Sequence, residues 1–173
     1  GALGIFREND LTLDSIASIE IRTFKAAAAL SHIHPTDTEE AQYNMSYPVA
    51  AALVDGEVGP CQVQAPRIFD PVVLSIADRV RVEVEEEYER AFPKKTISEV
   101  AIVSTDGKKF ESGPIEPRWE PPLFPSDEEL EQKFVGLVTP VLGEAKCRRL
   151  VEIAWGLDQI GSAGEILGAC LKS

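Results

Sequence analysis

The stretch over residues 38–61, TEEAQYNMSYPVAAALVDGEVGPC, constrains this chain more than any other. It joins a helix signal to a stop signal. Thr36 and Thr38 carry hydroxyls that accept from orphan backbone N–H groups, and Glu39 and Glu40 suit the positive end of a helix dipole. Apolar residues then recur at Tyr43, Tyr47, Ala50, Ala51 and Val54, the spacing of one helical face. Asp55-Gly56 ends the run, because glycine adopts the left-handed conformation after a helix at little cost. One helix over residues 38–54 is therefore expected, kinked at Pro48, where a backbone donor is missing. Gln42, Asn44, Ser46 and Tyr47 set hydrogen-bonding groups within about one and a half turns of one another, beside the apolar stripe.

The flanking segments supply a sheet and more helices. In IASIEIRTF, residues 16–24, Ile19, Ile21 and Thr23 alternate with Ser18, Glu20 and Arg22, which reads as a half-buried strand. Residues 25–31 are alanine-rich and read as a helix. Asp70-Pro71 pairs an N-cap with proline at the first helical position, and Val72, Val73, Ile76 and Val80 form the stripe that follows. Val80, Val82 and Val84 then switch to period two for a second strand. Ile97, Val100 and Ile102 lead a third strand, and Asp106-Gly107 turns it into a fourth over residues 109–115.

Beyond these, Pro114, Pro117, Pro121, Pro122 and Pro125 mark an extended connector, the natural seam between a sheet lobe and a helical tail. Ser126 to Glu129 is a capping box, followed by Leu130, Phe134, Leu137, Val138 and Val141 at helical spacing and a stop at Gly143. A helix over residues 144–160 should turn Cys147, Leu150, Val151, Ala154 and Leu157 inward, and residues 165–171 form a last short helix. The fold class is α+β: a small antiparallel sheet of about four strands packed against helices, with a C-terminal helical segment. A single domain over residues 1–173 is expected.

Composition narrows the function. Hydrophobic residues make up 44% of the chain and charged ones 27%, enough for a core and against disorder throughout. The net charge of −12 repels phosphate backbones and anionic lipid, so neither nucleic acid nor membrane is an expected partner. An anionic substrate would need positive charge concentrated locally. Cys61, Cys147 and Cys170 are odd in number and form no CxxC pair, which fits a reducing compartment, cytoplasm or an organelle matrix. No apolar run reaches membrane-spanning length. The opening Gly1-Ala2-Leu3-Gly4 lacks an initiator Met and a leader pattern and reads as a cut or processed chain.

Several residue groups invite chemistry. His32 and His34 form an HxH pair, but only Asp37 and Glu39 stand near as further ligands. The pair reads as loop packing before Pro35, able to support an anionic ligand ahead of a helix, and no metal or cofactor is expected. Glu83, Glu85, Glu86, Glu87 and Glu89 read as the solvated face of a strand and a charged loop rather than paired catalytic acids. Asp106-Gly107-Lys108-Lys109 lacks the glycines and following helix of a phosphate loop, and Ser46 lacks a GxSxG elbow. Trp119, in the proline connector, either fills a partner's groove or covers the sheet edge. On residues alone, Tyr47 reads as a core tyrosine with a satisfied hydroxyl.

Taken in order, Leu13 to Thr23, Glu40-Ala41-Gln42-Tyr43, Ser46-Tyr47-Pro48-Val49-Ala50-Ala51-Ala52-Leu53-Val54-Asp55-Gly56, Asp70-Pro71, the Val-Glu-Val strand, the Asp106-Gly107 hairpin and Pro125 to Phe134 resemble the MmgE/PrpD family. That family includes 2-methylcitrate dehydratase, cis-aconitate decarboxylase and iminodisuccinate epimerase. The resemblance implies a C-terminal, lid-like α+β domain whose companion all-helical N-terminal domain is absent from these residues. It implies a lyase or isomerase acting on a small di- or tricarboxylate, homodimeric as a full protein and inactive as this piece alone. It gives Tyr47 a catalytic place facing a cleft, hence at or near the surface of the isolated domain, and Gln42 a substrate-binding place beside it. Pro48 and the segment from Arg118 to Pro125 depart from the family's pattern. The alternative from a different class is a non-catalytic protein-binding module using the proline-rich segment around Trp119.

Overall fold

The computed structural model describes residues 1–30, 34–119, 123–159, 161–162 and 164–171. The backbone forms two compact units, Gly1–Pro117 and Arg118–Ser173, and the boundary falls in the proline-rich connector.

In the first unit the elements run α1 (Ala2–Glu8), β1 (Ile16–Thr23), α2 (Lys25–Ala28), α3 (Thr38–Gln42), α4 (Ser46–Asp55), α5 (Pro71–Ala77), β2 (Val80–Val84), α6 (Glu86–Ala91), β3 (Ser98–Ser104) and β4 (Lys109–Ile115). Short 3₁₀ turns at Leu13–Ser15 and Arg67–Phe69 lead into β1 and α5. The strands lie in the order β2-β1-β3-β4. β3 pairs antiparallel with both β1 and β4, and the Asp106-Gly107 turn makes the expected hairpin. β1 and β2 are parallel, with Ile19 opposite Val80 and Thr23 opposite Val84. The sheet is therefore mixed, not wholly antiparallel as expected. The reason is the connection: α2 to α5 intervene between β1 and β2, and a long helical crossover returns the chain to the end from which a parallel strand starts.

β1 is central, and its period-two pattern buries Ile19, Ile21 and Thr23 as the sequence implied. One face of the sheet meets α1, α4 and α5, so Ile5, Tyr47, Ala50, Ala51, Val73 and Ile76 share a core with Ile19, Ile21 and Ile102. Pro114 lies in β4, at the sheet edge, where a missing N–H costs no ladder bond.

Three local readings are corrected. The single helix over residues 38–54 is two helices, α3 and α4, separated at Tyr43 to Met45. The side-chain carbonyl of Asn44 accepts from the N–H groups of Ser46 and Tyr47, at 2.9 and 3.1 Å, and so restarts the helix. Pro48 is the third residue of α4, not mid-helix, and at that position a backbone N–H has no intrahelical acceptor, so the proline costs no helical hydrogen bond. The acidic run beyond Glu85 is helical: the Glu85 side chain accepts from Glu87 N–H and starts α6. The other end of α4 behaves as expected, since Gly56 sits at φ 80° and receives the left-handed turn.

The second unit holds α7 (Asp127–Leu142), α8 (Glu144–Trp155) and α9 (Gly164–Cys170). The Ser126–Glu129 capping box forms in both directions. α8 buries Cys147, Leu150 and Ile153. Ala154 and Leu157, expected inside, are exposed, because α8 ends at Trp155 and presents a narrower stripe. Among the described residues no helix is long and apolar enough to cross a membrane.

Candidate functional site

The Asn44 cap aims the first turn of α4 inward, and Tyr47 follows it into the core. Its ring is 1% exposed, which corrects the surface position expected for it. The Tyr47 hydroxyl donates to the backbone carbonyl of Gln62 at 2.6 Å. Burial pushes its pKa above the ordinary tyrosine value. The phenol is thus a neutral donor, and its proton is committed to the loop over residues 57–66.

That contact opens a longer network. Gln62 Nε2 donates to Asp55 Oδ2 at 3.1 Å, while its Oε1 accepts from Gly59 N–H. Arg67 grips Asp55 with two donors, Nε at 3.0 Å and Nη2 on the other carboxylate oxygen. Its Nη1 reaches Asp70 Oδ2 at 2.6 Å. Asp70 uses its second oxygen to cap α5 through Val72 and Val73 N–H. The Arg67 hydrogen bonds hold the Asp55 carboxyl below its usual pKa, and Asp55 in turn raises that of Arg67. One guanidinium therefore ties the end of α4 to the start of α5, with the loop between them pinned by Tyr47.

Gln62, Asp55, Arg67 and Asp70 were not singled out as site residues from the sequence. Asp55 and Asp70 were visible as helix-end signals, and Arg67 stands three residues ahead of Asp70. Gln62 lies between Pro60 and Pro66 in a segment without periodicity, so nothing local marked it.

The other candidates are dispersed. Gln42 is exposed on α3 and bonds back to its own helix, Nε2 to the Thr38 carbonyl at 3.2 Å. His34 Nε2 lies 2.7 Å from Asp78 Oδ1 at the surface, and His32 lies outside the described residues. Among the described residues no three His, Cys, Asp or Glu side chains gather as a metal group. In the second unit Trp119 is half-buried, with Lys133 Nζ 5.0 Å from the ring centroid.

A cavity of about 570 Å³ opens at the α3–α4 break, lined by Ala29, Leu30, Asp37, Glu39, Glu40, Tyr43 and Asn44. Tyr43, 68% exposed, is the tyrosine that faces it. Asp37 caps α3 through Glu40 N–H, and the Glu40 carboxylate accepts from Thr36 N–H and hydroxyl. None of these lining residues is cationic, so a carboxylate held here would need positive charge from another polypeptide segment.

No curated protein matches the chain. The MmgE/PrpD C-terminal domain matches over residues 1–159, and the chain therefore belongs to the MmgE/PrpD family and carries its C-terminal domain.

Proposed function

We propose that this domain is one wall of the active-site cleft in an MmgE/PrpD-type lyase or isomerase acting on a small di- or tricarboxylate, and that it is inactive alone. The family match over residues 1–159 carries this reading. The acid-lined cavity bears only on the inactivity of the chain alone: its carboxylates repel such a substrate, and the cationic groups that binding needs are missing from its walls. In this family the domain pairs with an N-terminal domain. Proton abstraction beside a carboxylate requires a base, an acid and cations around one carbon. The reading assigns most of these to the N-terminal domain, puts the working enzyme in the cytoplasm or an organelle matrix, and makes it a homodimer.

Gln42, exposed on α3, is proposed as a substrate contact. Tyr47 keeps the catalytic place that the family resemblance gives it, with one condition. Its hydroxyl must exchange the Gln62 carbonyl for substrate, or else act through the loop that it holds.

The test is turnover of 2-methylcitrate and cis-aconitate by the chain alone and joined to its cognate N-terminal domain. Activity only in the joined protein is expected; rapid turnover by the chain alone would sink the proposal. In the joined enzyme Tyr47→Phe should lower the rate roughly ten- to a thousandfold. Unchanged kinetics would remove Tyr47 from the catalytic set.

A further inference from the structure

The two edges of the sheet are built differently. β4 carries features that block strand addition: Pro114 lacks an N–H, Gly113 sits at φ 67°, and the pairing with β3 shifts register between Glu99 and Ala101. β2 has none of these. It stands at the other end of the strand order, pairs only with β1, and runs without proline, glycine or bulge. The Ile19 N–H donates to the Arg79 carbonyl, and the Glu85 N–H to the Thr23 carbonyl, both at 2.9 Å. Odd-numbered residues of β2 therefore turn their backbone groups toward β1, and Val80, Val82 and Val84 turn theirs toward the open side. The Arg81 guanidinium meets the Val80 carbonyl there at 3.1 Å, and among the described residues no second strand reaches the three valines. Val84 is 49% exposed.

We infer that β2 is a self-pairing edge: a second copy of this chain adds its own β2 antiparallel, about a two-fold axis at Val82. The charges select that occupant. Centring the pair on Val82 puts Val80 opposite Val84 and Arg81 opposite Glu83, and the axis repeats each pairing. The valines then exchange their outward N–H and C=O groups. Arg81 and Glu83, both exposed, fall at the positions between, where side chains approach most closely. Within one chain the same face already alternates in sign, with Arg81 opposite Glu20 and Glu83 opposite Arg22. Lys109 reaches Glu20 at 3.0 Å and Arg22 reaches Glu99 at 2.8 Å, so the alternation extends to β3 and β4, and the added strand continues it in the other direction. The neighbouring registers that use the same outward groups set Arg81 against Arg81 or Glu83 against Glu83, so charge fixes a single register. The inference rests on the homodimer reading above and supplies its surface; the reaction does not enter.

The test is sedimentation equilibrium of the 173-residue chain at concentrations up to about 1 mM, because one short strand makes a contact at the small, weak end of the interface range. A concentration-dependent dimer is expected. Arg81→Glu and Glu83→Arg should each weaken it by at least about tenfold, since each sets like charges face to face. Mixed in equal amounts, the two variants should associate with each other, and a chain carrying both changes should recover the dimer. Val82→Pro removes an N–H that points away from β1 and should weaken association with no change of charge. Far-UV dichroism of every variant verifies the fold. A chain that stays monomeric at every concentration would overturn the inference, whereas the homodimer reading fails only if the protein joined to its N-terminal domain is monomeric too. A dimer that both charge reversals leave intact would also overturn it, by moving self-association to another face. Association in the mixture no tighter than for either variant alone would refute the register.

Discussion

At Tyr47 the hydroxyl bond to Gln62 is short, and Gln62 itself is 9% exposed, so the carbonyl has no ready substitute from water. Tyr47→Phe should therefore destabilise the domain by about 1–3 kcal/mol, the cost of a buried acceptor left unpaired. Urea unfolding would measure it, and a loss well under that range would mean that water enters. Tyr88 offers a pH test. Its hydroxyl donates to Glu99 at 2.9 Å, and burial together with that carboxylate pushes its pKa from 10.0 up to about 12. The folded state keeps this proton longer than the unfolded state. Its stabilising contribution is complete below the unfolded value of 10.0 and is lost as pH rises toward about 12. Tyr88→Phe should make the denaturation midpoint less steep across that interval; an identical pH profile would contradict the assignment.

At the scale of elements, the α3–α4 break depends on one side chain. Asn44→Ala removes the acceptor for Ser46 and Tyr47 N–H and should cost about 1 kcal/mol, whereas Asn44→Asp should retain most of the stability. Equal midpoints for Asn44→Ala and the parent would refute the capping role. This break also shows where sequence reasoning stopped. The apolar spacing from Tyr43 to Val54 continues across it, so periodicity alone yields one helix, and only the local competition of an Asn side chain with backbone acceptors interrupts it. Strand positions, the Asp70-Pro71 start, the Gly56 stop and the Ser126 capping box were legible because each depends on neighbours in sequence. The parallel pairing of β1 with β2 was not, since register between distant strands is set by the path of the chain between them. The Tyr47 network was hidden for the same reason: Gln62 and Arg67 meet Asp55 through a loop that has no repeat.

For the whole molecule, every residue of the main core cluster lies within Gly1–Pro117. A chain ending at Pro117 should keep a single cooperative urea transition and its near-ultraviolet dichroism; a broad, non-cooperative transition would show that the first unit is not self-sufficient. The parallel strand pair has a further consequence, for the order of assembly. Pairing Ile19 with Val80 encloses residues 20–79, whereas pairing Val103 with Lys109 encloses only residues 104–108. Closing the short loop forfeits less chain entropy, so β3 and β4 should meet first during refolding. The polar clasp from Tyr47 to Asp70 lies wholly inside the longer loop and should be completed late. Pulse-labelled amides of residues 109–115 should gain protection before those of residues 47–55, and the opposite order would show that the crossover helices nucleate the domain. A newly made chain would thus pass through a stage with a formed hairpin and an unfinished cleft wall.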